Sequence, residues 1–191
     1  MRRINDIFYS LQGEGYNTGR AAVFVRFSGC NLRCPFCDTD FGAARGMTDS
    51  QLVEALAAFP SHFVVLTGGE PALQADGALV DLLHSRGYEV AMETNGSRPV
   101  PGGVDWVTVS PKPGVAGWTP AVTECDELKC IFDGTGPVGC HGITARHYYL
   151  QPCDVGDTRR NRHITQRCID YIKAHPQWRL SLQTHKLAGF K

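Results

Sequence analysis

Ala22-Val23-Phe24-Val25-Arg26-Phe27-Ser28-Gly29-Cys30-Asn31-Leu32-Arg33-Cys34-Pro35-Phe36-Cys37 decides how this chain is read. Its first six residues form an apolar run interrupted only by Arg26, which predicts a strand. The strand leads into a C-x3-C-x2-C spacing. Three thiolates on one strand-end loop suit three corners of a cubane iron–sulfur cluster and leave the fourth iron open to another ligand. The competing reading is structural zinc, which asks for a closed set of four ligands, commonly as two C-x2-C pairs. The other five cysteines, Cys125, Cys130, Cys140, Cys153 and Cys168, contain no such pair and read as buried or free thiols.

Outward from this stretch, strand patterns alternate with helix patterns. Ile4–Tyr9 reads as a strand or edge hairpin before the turn Gln12-Gly13-Glu14-Gly15. Thr48-Asp49-Ser50 offers an N-cap for a helix over Gln51–Phe59. His62–Thr67 reads as a buried strand ending in Gly68-Gly69, and Ala78–Ser85 as a helix capped by Gly87. Strands follow at Tyr88–Met92, Trp106–Val109, Glu127–Phe132 and Tyr148–Gln151. A helix over Asn161–Ala174 and a strand over Trp178–Leu182 close the series. This alternation predicts a parallel α/β sheet with right-handed crossovers. About six parallel strands are too few for a closed barrel, and the chain falls short of the ~250 residues such barrels typically need. The expected fold is therefore a partial, open TIM-type barrel forming a single domain over residues 1–191. Segments 114–124 and 134–146 are rich in Gly and Pro, so at least one crossover helix should be missing or reduced.

The 191 residues are 42% hydrophobic, enough for a proper core, and carry 19 basic against 19 acidic side chains. No basic run or tail favours nucleic acid as a partner. No apolar stretch approaches a membrane span, and the N-terminus has no signal-peptide pattern. The expectation is a cytoplasmic protein with reduced thiols.

Polar and glycine-rich clusters fall at the carboxyl ends of the predicted strands, where α/β folds bind ligands. These are Cys30–Cys37, Gly68-Gly69-Glu70-Pro71, Glu93-Thr94-Asn95-Gly96, Ser110-Pro111-Lys112 and Gln151-Pro152-Cys153-Asp154. Each alone could be an ordinary loop.

The cysteine spacing together with Gly68-Gly69-Glu70-Pro71 resembles the radical S-adenosylmethionine (SAM) superfamily. Stretches along the whole chain resemble one family within it, the 7-carboxy-7-deazaguanine synthases. They include Phe8–Gly15, Val25–Leu32, Cys37-Asp38-Thr39-Asp40-Phe41, Thr67–Pro71, Glu93–Ser97, Ser110-Pro111-Lys112, Glu127-Leu128-Lys129 and Trp178–Lys186. The resemblance implies conversion of 6-carboxy-5,6,7,8-tetrahydropterin to 7-carboxy-7-deazaguanine with loss of ammonia. SAM would act as a catalyst, cleaved after one electron arrives from the cluster and restored at the end. It implies a 4Fe-4S cluster on Cys30, Cys34 and Cys37, and Mg2+ on Thr39. SAM contacts fall on Phe36, Cys37, Asp38, Gly68, Gly69, Glu70, Gly96, Ser110, Pro111, Lys112, Gln151, Pro152, Cys153 and Asp154, with a carboxylate or carbonyl beside the glycines suited to an ammonium. Substrate contacts fall on Leu11, Gln12, Gly13, Glu14, Arg26, Thr94 and the terminal carboxylate of Lys191. A homodimer and a reductant such as flavodoxin or ferredoxin are further implications. Cys153 departs from the family, where Met is expected. His185 and Lys186 receive no role, and no catalytic acid or base is assigned. A glycyl-radical activase shares the cysteine spacing but has no use for Gln12–Gly15, Cys37–Thr39 or Gln183–Lys186.

Overall fold

In the computed structural model, which describes residues 1–37 and 44–191, one nine-stranded sheet runs through the molecule. In chain order its elements are β1 (Arg2–Leu11), β2 (Ala21–Phe27), β3 (Arg45–Met47), α1 (Asp49–Leu56), β4 (Phe63–Gly68), a 3-10 turn (Pro71–Leu73), α2 (Gly77–Ser85), β5 (Glu89–Thr94), β6 (Trp106–Val109), β7 (Glu124–Phe132), β8 (Thr144–Pro152), α3 (Thr158–Ala174), β9 (Trp178–Leu180) and α4 (Thr184–Ala188). The strand order is β3-β1-β2-β4-β5-β6-β7-β8-β9. From β2 to β9 every pairing is parallel, whereas β1 pairs antiparallel with β2 and β3. The sheet is an open barrel segment with seven parallel strands: the six core strands counted from sequence and the closing strand β9, expected over Trp178–Leu182.

Alternation along the strands separates the two faces. Val23, Val25 and Phe27 of β2, Val64 and Leu66 of β4, and Val90 and Met92 of β5 pack with Leu52 and Leu56 of α1 and Leu79 and Leu83 of α2. A second core joins Leu128, Cys130 and Phe132 of β7 and Leu150 of β8 to Ile164 and Cys168 of α3. Both sides of the central strands are covered, which explains their near-continuous apolar runs. The connections β5–β6, β6–β7 and β7–β8 contain no helix, the last two as the Gly/Pro content of those segments predicts.

The helix starts follow local chemistry. Thr48 and Gln51 form a reciprocal capping box on α1, and Asp76 and Asp157 cap α2 and α3. Arg2, nearly buried, donates to Asp49 at 2.6 Å and to Asp76 at 2.9 Å, tying the first turns of α1 and α2 to β1. Helix α2 is capped by Arg86, one residue before the expected cap Gly87, which follows in the left-handed region. Among the described residues, no helix is long and apolar enough to cross a membrane.

Leu66 is fully buried between β2, β5 and the helices. Leu66→Ala should lower unfolding stability by about 2–5 kcal/mol, read as a reduced denaturant midpoint.

Candidate active site

Strand periodicity builds the site. On β2, Ala22 and Phe24 face the concave side, and Arg26 continues that row. Arg26 lies in register with Thr67 of β4, and Val65 with Ala91 of β5, so Glu93 falls beside Thr67. Glu93 is in register with Thr108, Thr108 with Glu127, and Ile131 with Gln151. Because side chains alternate every two residues, Arg26, Thr67, Glu93, Glu127, Lys129 and Gln151 share the interior face.

At the carboxyl ends of these strands lies a cavity of about 450 Å³ lined by Cys30, Cys34, Cys37, Gly68, Gly69, Thr94, Asn95, Ser110 and Lys112, among others. The Leu32 N–H points at Cys30 Sγ at 3.4 Å. Backbone pairing continues past β2 and β4, where Gly69 N–H donates to the Phe27 carbonyl at 3.0 Å and Glu70 N–H to the Gly29 carbonyl at 2.9 Å. A Cβ on Gly69 would run into that Gly29 carbonyl, so only glycine lets the two loops meet. Burial pushes the Cys30 and Cys34 thiols up, and the Lys112 ammonium works against that rise. Burial in turn lowers the Lys112 ammonium, whose Nζ donates to the Ser110 carbonyl at 2.7 Å. Among the described residues, no three His, Cys, Asp or Glu side chains converge on a point that could hold one metal ion. A cubane needs a different arrangement, with each thiolate on its own iron around a shared volume, and three cysteines lining one cavity beside an open wall fit that requirement.

A second cavity, of about 180 Å³, adjoins the first, and Thr67 and Glu93 line both. Its other walls are Phe8, Leu11, Gln12, Gly13, Glu14, Phe24, Arg26, Gln183, His185 and Lys191. Lys191 is fixed to β1, with Ser10 donating to its carbonyl and its own Nζ 2.6 Å from Asp6. Beneath the cavity, the buried Lys129 ammonium donates to Glu14 at 2.8 Å and to Glu93 at 2.9 Å. Gln12 donates to Glu93 at 3.2 Å and Gln183 to Glu14 at 3.0 Å. Burial would raise the Glu14 pKa, but Lys129 and Gln183 hold it at about 2. Burial likewise opposes charge on Lys129, yet Glu14, Glu93 and Glu127 together raise its pKa. Glu127 is the strained member of the group. Its Oε2 accepts from the Tyr16 N–H at 3.0 Å, while its buried Oε1 has no hydrogen-bond partner. Burial pushes Glu127 up to about 7, against the pull of Lys129 and with the repulsion of Glu93. Gly15, in the left-handed region, leaves the space that the Glu127 carboxylate occupies.

The radical SAM superfamily model matches residues 24–112, the stretch from β2 to Lys112. The chain is 50% identical over 191 residues to the 7-carboxy-7-deazaguanine synthase of Bacteroides thetaiotaomicron, covering 100% of both chains. It is 46% identical to the enzyme of the same name from Nitratidesulfovibrio vulgaris, covering 98% of each. The chain belongs to the 7-carboxy-7-deazaguanine synthase family. The crystal structure of QueE from Escherichia coli superposes with a TM-score of 0.78 at 28% identity, covering 96% of this chain and 94% of that one.

For this synthase-family chain, the structure gathers most residues singled out from sequence and moves some to other tasks. Leu11, Gln12, Gly13, Glu14, Arg26 and Lys191 line the smaller cavity. Gly68, Gly69, Ser110 and Lys112 line the larger one. Phe36, Gln151, Pro152, Cys153 and Asp154 line a third recess next to it, and Pro111 lies with Phe36 and Cys153 in a further apolar cavity of about 340 Å³. The Glu70 carboxylate is taken up within the protein. It is fully buried and accepts from Ala72 N–H at 3.0 Å, Thr94 Oγ1 at 2.7 Å and Asn95 N–H at 2.8 Å, so it holds the β4 and β5 loops together. Thr94 spends its hydroxyl on that bond and borders the cysteine cavity, which adjoins the smaller one. Gly96 packs against β6. Val109 fills its side-chain space, and its carbonyl accepts from Ala121 and Val122 N–H groups. Asp154 accepts from Lys186 at 2.8 Å and Asn161 at 2.7 Å. Asp38 and Thr39 lie outside the described residues.

Glu93, Lys129, Gln183 and His185 belong to the site without having been assigned to it. A signal was present: Glu127-Leu128-Lys129 puts two charges at i and i+2 on a buried strand, which forces both onto the interior face. His185 packs against Gly13, a contact only the tertiary fold creates.

Lys129→Met should strand Glu14 and Glu93 as uncompensated carboxylates and destabilise the fold by about 3–5 kcal/mol, while Lys129→Met with Glu14→Gln recovers part of the loss. Urea titrations of the single and double variants test this. Glu127 behaves oppositely to a salt-bridged acid. With a folded pKa near 7 against an ordinary 4.5, it takes up protons on folding, so its contribution to stability declines as pH rises from 4.5 through 7. Glu127→Gln should therefore melt higher than the parent at pH 8, with the gap shrinking toward pH 5; melting curves at both pH values check the sign.

Proposed function

We propose that this chain converts 6-carboxy-5,6,7,8-tetrahydropterin to 7-carboxy-7-deazaguanine with loss of ammonia, as a single radical SAM domain. The observation that carries the reading is the pair of adjoining cavities sharing Thr67 and Glu93. Cys30, Cys34 and Cys37 would hold a 4Fe-4S cluster at the larger cavity, and the bare backbone at Gly68-Gly69 lets a second ligand approach. When bound there, the cluster and SAM supply a one-electron route to a hydrogen-abstracting radical. The chain's own residues do the rest. Arg26 offers a two-pronged guanidinium to the substrate carboxylate. Glu14 is ionised and held in place by Lys129, so it accepts N–H bonds from an aminopyrimidinone edge without reorganising. Gln12, Gln183 and His185 complete the polar wall, and Phe8 and Phe24 supply apolar faces for the ring. Thr67 and Glu93 stand where the two ligands would meet. Phe36 and Cys153 border the apolar cavity suited to a nucleobase.

Mg2+ on Thr39 is supported by the resemblance of Cys37-Asp38-Thr39-Asp40, and a single hydroxyl plus substrate oxygens suits an ion that keeps its waters. The homodimer, the reductant and a cytoplasmic location are supported in the same way, by likeness to the family.

Anaerobically reconstituted protein given a reductant, SAM, Mg2+ and 6-carboxytetrahydropterin should form 7-carboxy-7-deazaguanine by mass spectrometry, and Cys34→Ala should abolish it. Slow 5′-deoxyadenosine release without that product would redirect the search to another substrate.

A further inference from the structure

The segment after β1 that carries Gln12, Gly13 and Glu14 to the smaller cavity belongs to no helix or strand. Its attachments come from elements far along the chain. Thr184 donates to the Gly13 carbonyl twice, from N–H and from Oγ1, each at 2.9 Å. Gly15 N–H donates to Ser181 Oγ at 3.0 Å, and that hydroxyl donates to Gln151 Oε1 at 2.7 Å. Tyr16 N–H donates to Glu127 Oε2 at 3.0 Å. Ser181 and Glu127 are each only 2% exposed and neither lines the cavity, so both act on the turn from behind.

Glu127 is a costly anchor. Its Oε1 is buried without a hydrogen-bond partner and pressed against Gly15, where any Cβ would collide with it. The titratable groups around it are Cys125 and Lys129 on its own strand, Glu93 on β5, Glu14 and Tyr16 on the turn, and His147, its register partner on β8. From β6 it meets Trp106 and, in register, Thr108, which do not titrate. A glutamine would fill the same volume without a buried charge, so at neutral pH the fold gains nothing from the carboxylate. Groups kept at such a cost concentrate at functional sites.

We propose that Glu127 is a positioning residue: through Tyr16 N–H it fixes the turn that presents Gln12, Gly13 and Glu14 to the pterin, with Ser181 as a second anchor one residue away. The inference rests on the pterin reading above and adds what aligns its polar wall. A hydrogen bond to an ionised acceptor is roughly twice as strong as one to a neutral acceptor. The anchor is therefore firm while Glu127 is ionised and loosens on protonation. Because burial pushes this carboxyl up to about 7, the loosening falls in the neutral range as pH drops. The turn contributes to holding the ligand, so the effect belongs to KM more than to kcat.

The test compares full-length reconstituted parent with Glu127→Gln, Glu127→Ala and Ser181→Ala. Steady-state kinetics in 6-carboxytetrahydropterin are measured at pH 6 and pH 8, and hydrogen exchange is followed at the Gly15 and Tyr16 amides. The parent's KM should rise as pH falls from 8 to 6. Glu127→Gln, neutral at both pH values, should show a KM about fivefold above the parent's at pH 8 and lose that pH dependence, with a smaller change in kcat. Since Glu127→Gln should also melt above the parent at pH 8, weaker binding there is not a consequence of a weakened fold. Glu127→Ala leaves Tyr16 N–H unbonded and should raise KM about tenfold or more, with faster exchange at Tyr16. Ser181→Ala should speed exchange at Gly15 and raise KM without changing its pH dependence. A Glu127→Gln KM equal to the parent's at both pH values, or a loss confined to kcat, would overturn the proposal, and so would unchanged Tyr16 exchange in Glu127→Ala. If Glu127→Ala fails to fold, the Glu127→Gln kinetics decide alone. No product from the parent would instead count against the pterin reading, while exchange at Tyr16 still decides whether Glu127 holds the turn.

Discussion

One buried ammonium organises the interior. Lys129 on β7 holds Glu14 from the loop after β1 and Glu93 from the end of β5. These elements are not neighbours in the sheet, so the contact closes the open barrel across its concave face. A charge taken out of water is costly unless partners surround it, and two carboxylates with amide donors behind them meet that demand. The arrangement exists only when β5, β7 and the Gln12–Gly15 loop are all in register. A one-residue slip in β7 would turn Lys129 toward the apolar core under α3.

That constraint also shapes the chemistry. Glu14, facing the smaller cavity, is ionised, and both it and Glu93 are oriented by Lys129 before a ligand arrives, so binding does not have to rearrange them. Glu70 plays the matching part at the cluster end, drawing the β4 and β5 loops together through hydrogen bonds from Thr94 and Asn95. Buried Lys129 and buried Glu70 thus fix the two cavities relative to each other, with Thr67 and Glu93 on the shared wall.

Much of the fold was legible because its signals are local. Apolar runs marked the parallel strands, Thr48 marked the start of α1, and Gly/Pro-rich stretches marked the crossovers without helices. Strand β3 and helix α4 were missed, being three and five residues long and lacking a periodic pattern. Helix α3 was read from residue 161 rather than 158, because Asp157 caps a run of arginines that carries no apolar stripe. Motifs located the strand-end loops but not which way their side chains turn, as with the Glu70 carboxylate, which bonds to Thr94 and Asn95.

The sequence by itself determined the cysteine spacing, the alternation of strands and helices and the family motifs, because each depends on residues close together in the chain. Only the tertiary structure decided that Arg26, Glu93, Lys129, Gln183 and His185 share one site. Those relations join residues up to the full length of the chain apart, and strand register and sheet closure, rather than local propensity, bring them together.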